Sequence, residues 1–188
     1  MVCYKKVFFL LAFFFFLCSP LLHSQSSYKY GPGYKVSVPD YMKKVNSLNE
    51  EASMQYANLA REVYFIVIDE NKKDFIDVLK DLDYYDEYAS PLENFSVNMM
   101  EYYRENDVFG KMGSMKNAKF FAGDSPAEMF FGESVFSFDL EPTVYTYMFI
   151  SFVSGKDSFY QIMAWTLKDG KERYREDLES ICLSFREF

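Results

Sequence analysis

The chain has 188 residues, a formal net charge of −8 and an aromatic fraction of 20%, but only one histidine and three cysteines. This acidic balance excludes a surface built to neutralise nucleic-acid phosphates, which needs clustered Lys and Arg. Without a basic groove the aromatic residues are expected to pack a core rather than to stack on bases.

The first stretch reads as an export signal. Lys5 and Lys6 precede the apolar run Val7 to Leu17, and Leu22-His23-Ser24 is a suitable cleavage sequence, so residues 1–24 are expected to be a signal peptide. The run is short for a membrane span of ~20 residues, and Ser19-Pro20 interrupts it. Phe15-Phe16-Leu17 ahead of Cys18 departs from the lipoprotein pattern. Cleavage removes Lys5 and Lys6, which takes the charge from −8 to −10, and also removes Cys3, Cys18 and His23. Cys182 is then the sole cysteine, so no intramolecular disulfide is available in a compartment that would permit one. No later apolar run reaches ~18 residues, so no integral membrane span is expected after cleavage. The expected location is periplasmic or extracellular.

Residues 25–33, with Ser26-Ser27 and Gly31-Pro32-Gly33, read as a flexible leader, and 34–188 as a single domain. Tyr34, Val36 and Val38 alternate with Lys35 and Ser37 and predict a short strand ended by Pro39. Over the next segment Leu48, Ala52, Tyr56, Leu59 and Val63 fit a helical stripe, while Ala52, Met54 and Tyr56 fit a strand, with a slight lean to helix. Tyr64-Phe65-Ile66-Val67-Ile68 is a strand buried on both faces. A helix follows, with Phe75, Ile76, Leu79 and Leu82 on its inner stripe.

Asp83 to Ala89 is a polar, aromatic link, after which Ser90-Pro91-Leu92-Glu93 starts a helix sharply: a capping Ser, Pro at the first position, Glu three after the cap. Leu92, Phe95, Met99 and Tyr102 form its inner stripe, and Gly110 to Ser114 the loop beyond. From Ala118 the chain reads as a β meander with a turn at Gly123-Asp124-Ser125-Pro126 and a bridge at Asp139 to Pro142. The central hairpin pairs Val144–Val153 with Ser158–Leu167 around Ser154-Gly155-Lys156-Asp157. Asp169 is expected to cap a last helix carrying Tyr174, Leu178 and Ile181 inward. Six or seven strands, mostly antiparallel, and three helices make an α+β chain.

Three segments carry a family resemblance: Tyr34-Lys35-Val36-Ser37-Val38-Pro39, Ala52-Ser53-Met54-Gln55-Tyr56 and Tyr64-Phe65-Ile66-Val67-Ile68-Asp69. With Phe159-Tyr160-Gln161-Ile162 and the terminal Leu183-Ser184-Phe185, they resemble the PsbP-like superfamily over most of 34–185. That superfamily includes the photosystem subunit PsbP, a Ran-binding Mog-type protein and small exported bacterial proteins. The resemblance implies a central antiparallel sheet with helices on both faces, an α/β/α sandwich, and it implies a strand at 52–58. No functional motif accompanies it.

The chemistry is set by what is missing. Without histidine in the processed chain, Ser-His-Asp, Cys-His and His-bearing zinc sites are excluded. Cys182, on an inner helical stripe, reads as an inert buried thiol. Gly110 to Ser114 lacks phosphate-loop spacing. Glu128 with Glu133, or Asp139 with Glu141, are the carboxylate pairs that could serve a glycan hydrolase. Asp81, Asp83, Asp86 and Glu87 could supply oxygen ligands to Ca²⁺, although the spacing is not that of an EF-hand loop, and a solvated acidic surface is the simpler reading. Beside them Tyr84, Tyr85 and Tyr88 suit a partner interface if exposed, and packing under a sheet edge otherwise. The expectation is a non-enzymatic, cofactor-free module of the cell envelope that holds a protein partner or a small ligand. The alternatives are a carboxylate-based glycan hydrolase and a Ca²⁺-dependent envelope stabiliser.

Overall fold

The computed structural model describes residues 25–105, 116–122, 125–138 and 144–188. The signal-peptide segment 1–24, the loop 110–114, Gly123-Asp124 and the bridge 139–142 lie outside the described residues.

Among the described residues ten strands and three α-helices follow in chain order: β1 (Ser26–Gly31), β2 (Tyr34–Pro39), β3 (Lys43–Lys44), β4 (Ala52–Asn58), β5 (Val63–Asn71), α1 (Lys72–Asp81), α2 (Pro91–Glu105), β6 (Lys116–Ala122), β7 (Ser125–Phe138), β8 (Val144–Ser154), β9 (Ser158–Leu167), α3 (Lys171–Leu183) and β10 (Arg186–Glu187). Seven strands form the main sheet in the order β3-β4-β5-β9-β8-β7-β6, and β1-β2-β10 form a smaller one. Every pairing in both sheets is antiparallel.

The β8–β9 hairpin lies at the middle of the main sheet, as its apolar, β-branched composition requires. Met148 to Val153 on β8 and Phe159 to Ala164 on β9 are buried without interruption, so both faces of these strands are covered. One face packs on α3 and the small sheet through Tyr34, Val36, Phe149, Ile162, Leu178, Ile181 and Phe185. The opposite face packs on α1 and α2 through Ile66, Phe75, Leu92, Phe95, Phe152 and Phe159. The result is the expected helix–sheet–helix layering, with β1-β2-β10 added beside α3.

Four expectations are corrected. Residues 52–58 are strand, as the family resemblance implies and against the local lean to helix: β4 pairs with β5 from Ala52↔Ile68 to Asn58↔Val63 with an irregularity between Ala52 and Met54. Long-range pairing overrides the local helical lean. At that irregularity Ser53 Oγ lies 2.8 Å from the Tyr34 hydroxyl, joining the two sheets. The stretch expected as a flexible leader holds β1, paired with β2 from Ser26↔Pro39 to Gly31↔Tyr34 through the two-residue Pro32-Gly33 turn. Gly33 has φ +73°, the conformation that favours glycine in such a turn. Asp169 does not cap α3: it lies in a 3₁₀ turn, and Gly170 holds the cap position without a side-chain bond. Leu82 and Tyr102, placed on inner stripes, are exposed, and Tyr103 is buried instead.

Among the described residues no helix is long and apolar enough to cross a membrane.

Candidate functional site

The corner between α1 and α2 is built by local capping and one buried amide. Asn71 caps α1 by accepting from Asp74 N–H at 3.0 Å, and Phe75, Ile76 and Leu79 pack the helix on the sheet. The helix ends in a Schellman motif. Tyr84 N–H donates to Leu79 O at 2.9 Å and Asp83 N–H to Lys80 O at 3.2 Å, with Asp83 in the left-handed region at φ +61°. Ser90 caps α2, accepting from Glu93 N–H at 3.1 Å. Between the helices, buried Asn94 grips the link: its Oδ1 accepts from Asp86 N–H at 2.8 Å and its Nδ2 donates to Asp86 O at 2.9 Å.

This frame fixes what the corner presents. Val78 and Leu82, four residues apart and so on one helical face, are 54% and 58% exposed, and Tyr84 is 66% exposed. Tyr88 is fully exposed. Tyr85 is half-buried with the Lys80 ammonium 4.7 Å above its ring, and Lys80 also pairs with Glu87 at 3.4 Å. Of the three tyrosines, Tyr84 and Tyr88 are therefore exposed, and with Val78 and Leu82 they make up the apolar ridge of the corner, a grouping that rests on their exposure and closeness in sequence. Leu82 was placed on the inner stripe because a helical stripe read from sequence does not show where the helix stops, and Val78, on the outer side of that stripe, was not singled out.

The four acids are not gathered. Asp86 turns its carboxylate onto Tyr88 N–H at 2.8 Å, Glu87 faces Lys80, and Asp83 occupies the helix stop. Among the described residues no three His, Cys, Asp or Glu side chains stand together so as to hold a metal ion.

Glu128 and Glu133 lie five residues apart on β7, opposite Ser154 and Phe149. At ~3.3 Å of rise per residue their backbones are roughly 16 Å apart, too far for a glycosidase pair at 5–9.5 Å. Glu133 has other partners: its Oε2 accepts from the Tyr147 hydroxyl at 2.5 Å and from Arg175 Nε at 3.0 Å. The Tyr147 hydrogen bond, with help from Arg175, holds its carboxyl below the usual range, and burial keeps Tyr147 protonated. These three groups tie β7, β8 and α3 together. Asp139 and Glu141 lie outside the described residues.

Cys182 is fully buried, and burial pushes its thiol up to about 12, so the thiolate needed for reaction is withheld. A shallow cleft of 390 Å³ separates the start of α1 from the β8–β9 turn, lined by Lys72, Lys73, Asp77, Lys156 and Asp157. Lys73 pairs with Asp77 at 2.5 Å, and Lys72 is held by donating to the neutral Gly155 O at 2.5 Å.

The structure thus defines a class: a helix-flanked antiparallel sandwich with an exposed, acid-rimmed apolar ridge at one corner. No protein-family model and no curated protein sequence matches the chain. Solved structures do match. The chain is similar to the solution structure of cyanobacterial PsbP (CyanoP) from Synechocystis sp. PCC 6803 at 10% identity, with a TM-score of 0.50 over 91% of this chain and 97% of that one. It is similar to the crystal structure of the Ran-binding protein Mog1p of Saccharomyces cerevisiae at 12% identity, with a TM-score of 0.51 over 88% and 96%. At these identities the likeness concerns the fold. The chain has a PsbP-like, Mog-type fold.

Proposed function

We propose that this protein is an exported, non-enzymatic accessory module that docks on a protein partner through the α1–α2 corner. The observation that carries the reading is the ridge of Val78, Leu82, Tyr84 and Tyr88, held out by a loop whose backbone is fixed by Asn94. Exposed Tyr and Leu on a rigid frame lose little entropy on binding. Asp81 and Asp83 flank the ridge and are exposed, so the fitting partner offers an apolar recess rimmed by Lys or Arg. The yeast structure of the same fold is described as a Ran-binding protein, which supports protein binding as a use of this architecture. Export rests on Lys5, Lys6 and the apolar run Val7 to Leu17.

The test places a photo-crosslinking residue at Tyr84, or at Arg173 on α3 as a control, in the full chain expressed in its native host. The reading expects one adduct of fixed mass from position 84, none from 173, and its loss in Leu82→Asp. No adduct at 84, or equal adducts at both positions, refutes it.

A further inference from the structure

Charge is unevenly spread along this acidic chain. Residues 25–44 carry Lys29, Lys35, Lys43 and Lys44 against Asp40 alone. The first part of that stretch forms β1 and β2, which join β10 in the three-stranded sheet. The inner face of β2 packs beside α3 through Tyr34, Val36 and Val38.

The outer face has a different composition. Residues directly opposite in antiparallel strands share a face, so Tyr30↔Lys35 and Lys35↔Arg186 place Tyr30, Lys35 and Arg186 in one row across all three strands. Tyr28 stands two residues before Tyr30 on the same face, with the Lys35 ammonium 5.0 Å from its ring centre. Phe188 meets Tyr30 edge-on at 6.1 Å. Tyr28, Tyr30 and Phe188 are 47%, 70% and 69% exposed. Arg186 also donates to Leu183 O at 3.2 Å and Phe185 O at 2.5 Å, which holds its cation in place.

We propose that this face of β1-β2-β10 rests on an anionic lipid surface. Tyr and Phe rings settle at the level of lipid headgroups, apolar body inward and hydroxyl in water, while adjacent Lys and Arg meet anionic headgroups. An acidic protein would satisfy the two cations but offers no apolar layer for three protruding rings. The sequence supplies the second argument. The apolar run Val7 to Leu17 ends nine residues before Ser26, a reach of at most about 30 Å even fully extended. Until residues 1–24 are removed, β1 is therefore held within reach of any bilayer that the run enters.

The experiment uses the full chain made by cell-free synthesis onto vesicles of phosphatidylcholine and phosphatidylglycerol, some with brominated acyl chains. Tyr30→Trp and Tyr84→Trp are compared, each against the parent signal of Trp165. Both variants retain residues 1–24 and so reach the vesicle equally, and the difference between them reports which face meets lipid. The proposal expects bromine quenching at position 30 and not at 84. It also expects loss of that quenching in pure phosphatidylcholine, and a contact weakened roughly fivefold or more by Lys35→Glu. Equal quenching at both positions, none at position 30, indifference to lipid charge, or shielding of position 30 by self-association without lipid would each overturn it.

Discussion

Asp83 offers a sharp test of the frame that presents the ridge. It is the residue after the C-cap of α1, at φ +61°, in a Schellman motif that satisfies the carbonyls of Leu79 and Lys80. The left-handed conformation costs an ordinary L residue about 1–2 kcal/mol, less for Asp, whose short polar side chain tolerates it. Glycine removes that strain but gains backbone freedom in the unfolded chain, worth about 0.5–1 kcal/mol in the other direction. The net expectation for Asp83→Gly is a stabilisation of up to about 1 kcal/mol, and for Asp83→Ala a loss of similar size. Urea unfolding of both variants and the parent reads this as a shift in midpoint at unchanged slope. The order Gly above Asp above Ala is required. A destabilised glycine variant, or an alanine variant equal to it, would refute the left-handed turn and with it the fixed placement of Tyr84. Because the turn is retained, the glycine variant should also keep the position-84 adduct.

Two further outcomes follow from the packing and the charge network. Phe95 is fully buried, stacked on Phe159 at 4.5 Å and edge-on to Phe75 at 4.9 Å and Phe152 at 5.8 Å. Phe95→Ala should cost about 3–5 kcal/mol by urea unfolding, and a loss under about 2 kcal/mol would mean that α2 is not seated there. Glu133, its carboxyl held below the ordinary carboxylate range by Tyr147 and Arg175, contributes stability that is present above that range and lost as the pH falls through its lowered value. The parent should exceed Glu133→Gln by under about 1 kcal/mol at pH 7, since the pair is partly exposed. The gap should narrow as the pH falls below the ordinary carboxylate range, and a gap that does not change with pH would contradict the assignment.

Much of the fold was legible where local chemistry and tertiary demand agree. Val144 to Val153 and Tyr64 to Ile68 are too uniformly apolar for anything but interior strands, and Ser90-Pro91 starts α2 where its chemistry says. Legibility failed where the decision is non-local. Ala52, Met54 and Tyr56 satisfy a strand as well as a helix, and only the ladder to β5 settles it. Leu59, counted toward a helical stripe, sits exposed in the β4–β5 turn, where Glu62 takes φ +53°. Ser26 to Gly31 lacks the apolar alternation of a half-buried strand because neither side of β1 is buried. The tyrosines of the corner were visible as candidates, but their exposure depends on Asn94, eight residues beyond the Asp86 that it grips.

The two proposed surfaces lie on opposite sides of the main sheet, since α1 and α2 cover one face and α3 with β1-β2-β10 the other. Their charges are opposite as well. Near an anionic bilayer, attraction of Lys35 and Arg186 and repulsion of Asp81 and Asp83 act in the same sense over roughly a Debye length. Lipid contact through the small sheet therefore turns the acidic, tyrosine-bearing corner outward, where a partner can reach it. The corner and the small sheet share no residue, and the elements beneath them pack in separate clusters, so their perturbations should add independently. Lys35→Glu should loosen the lipid contact and leave the position-84 adduct intact, while Leu82→Asp should do the reverse. Loss of both by either substitution would mean that one surface, not two, does the binding.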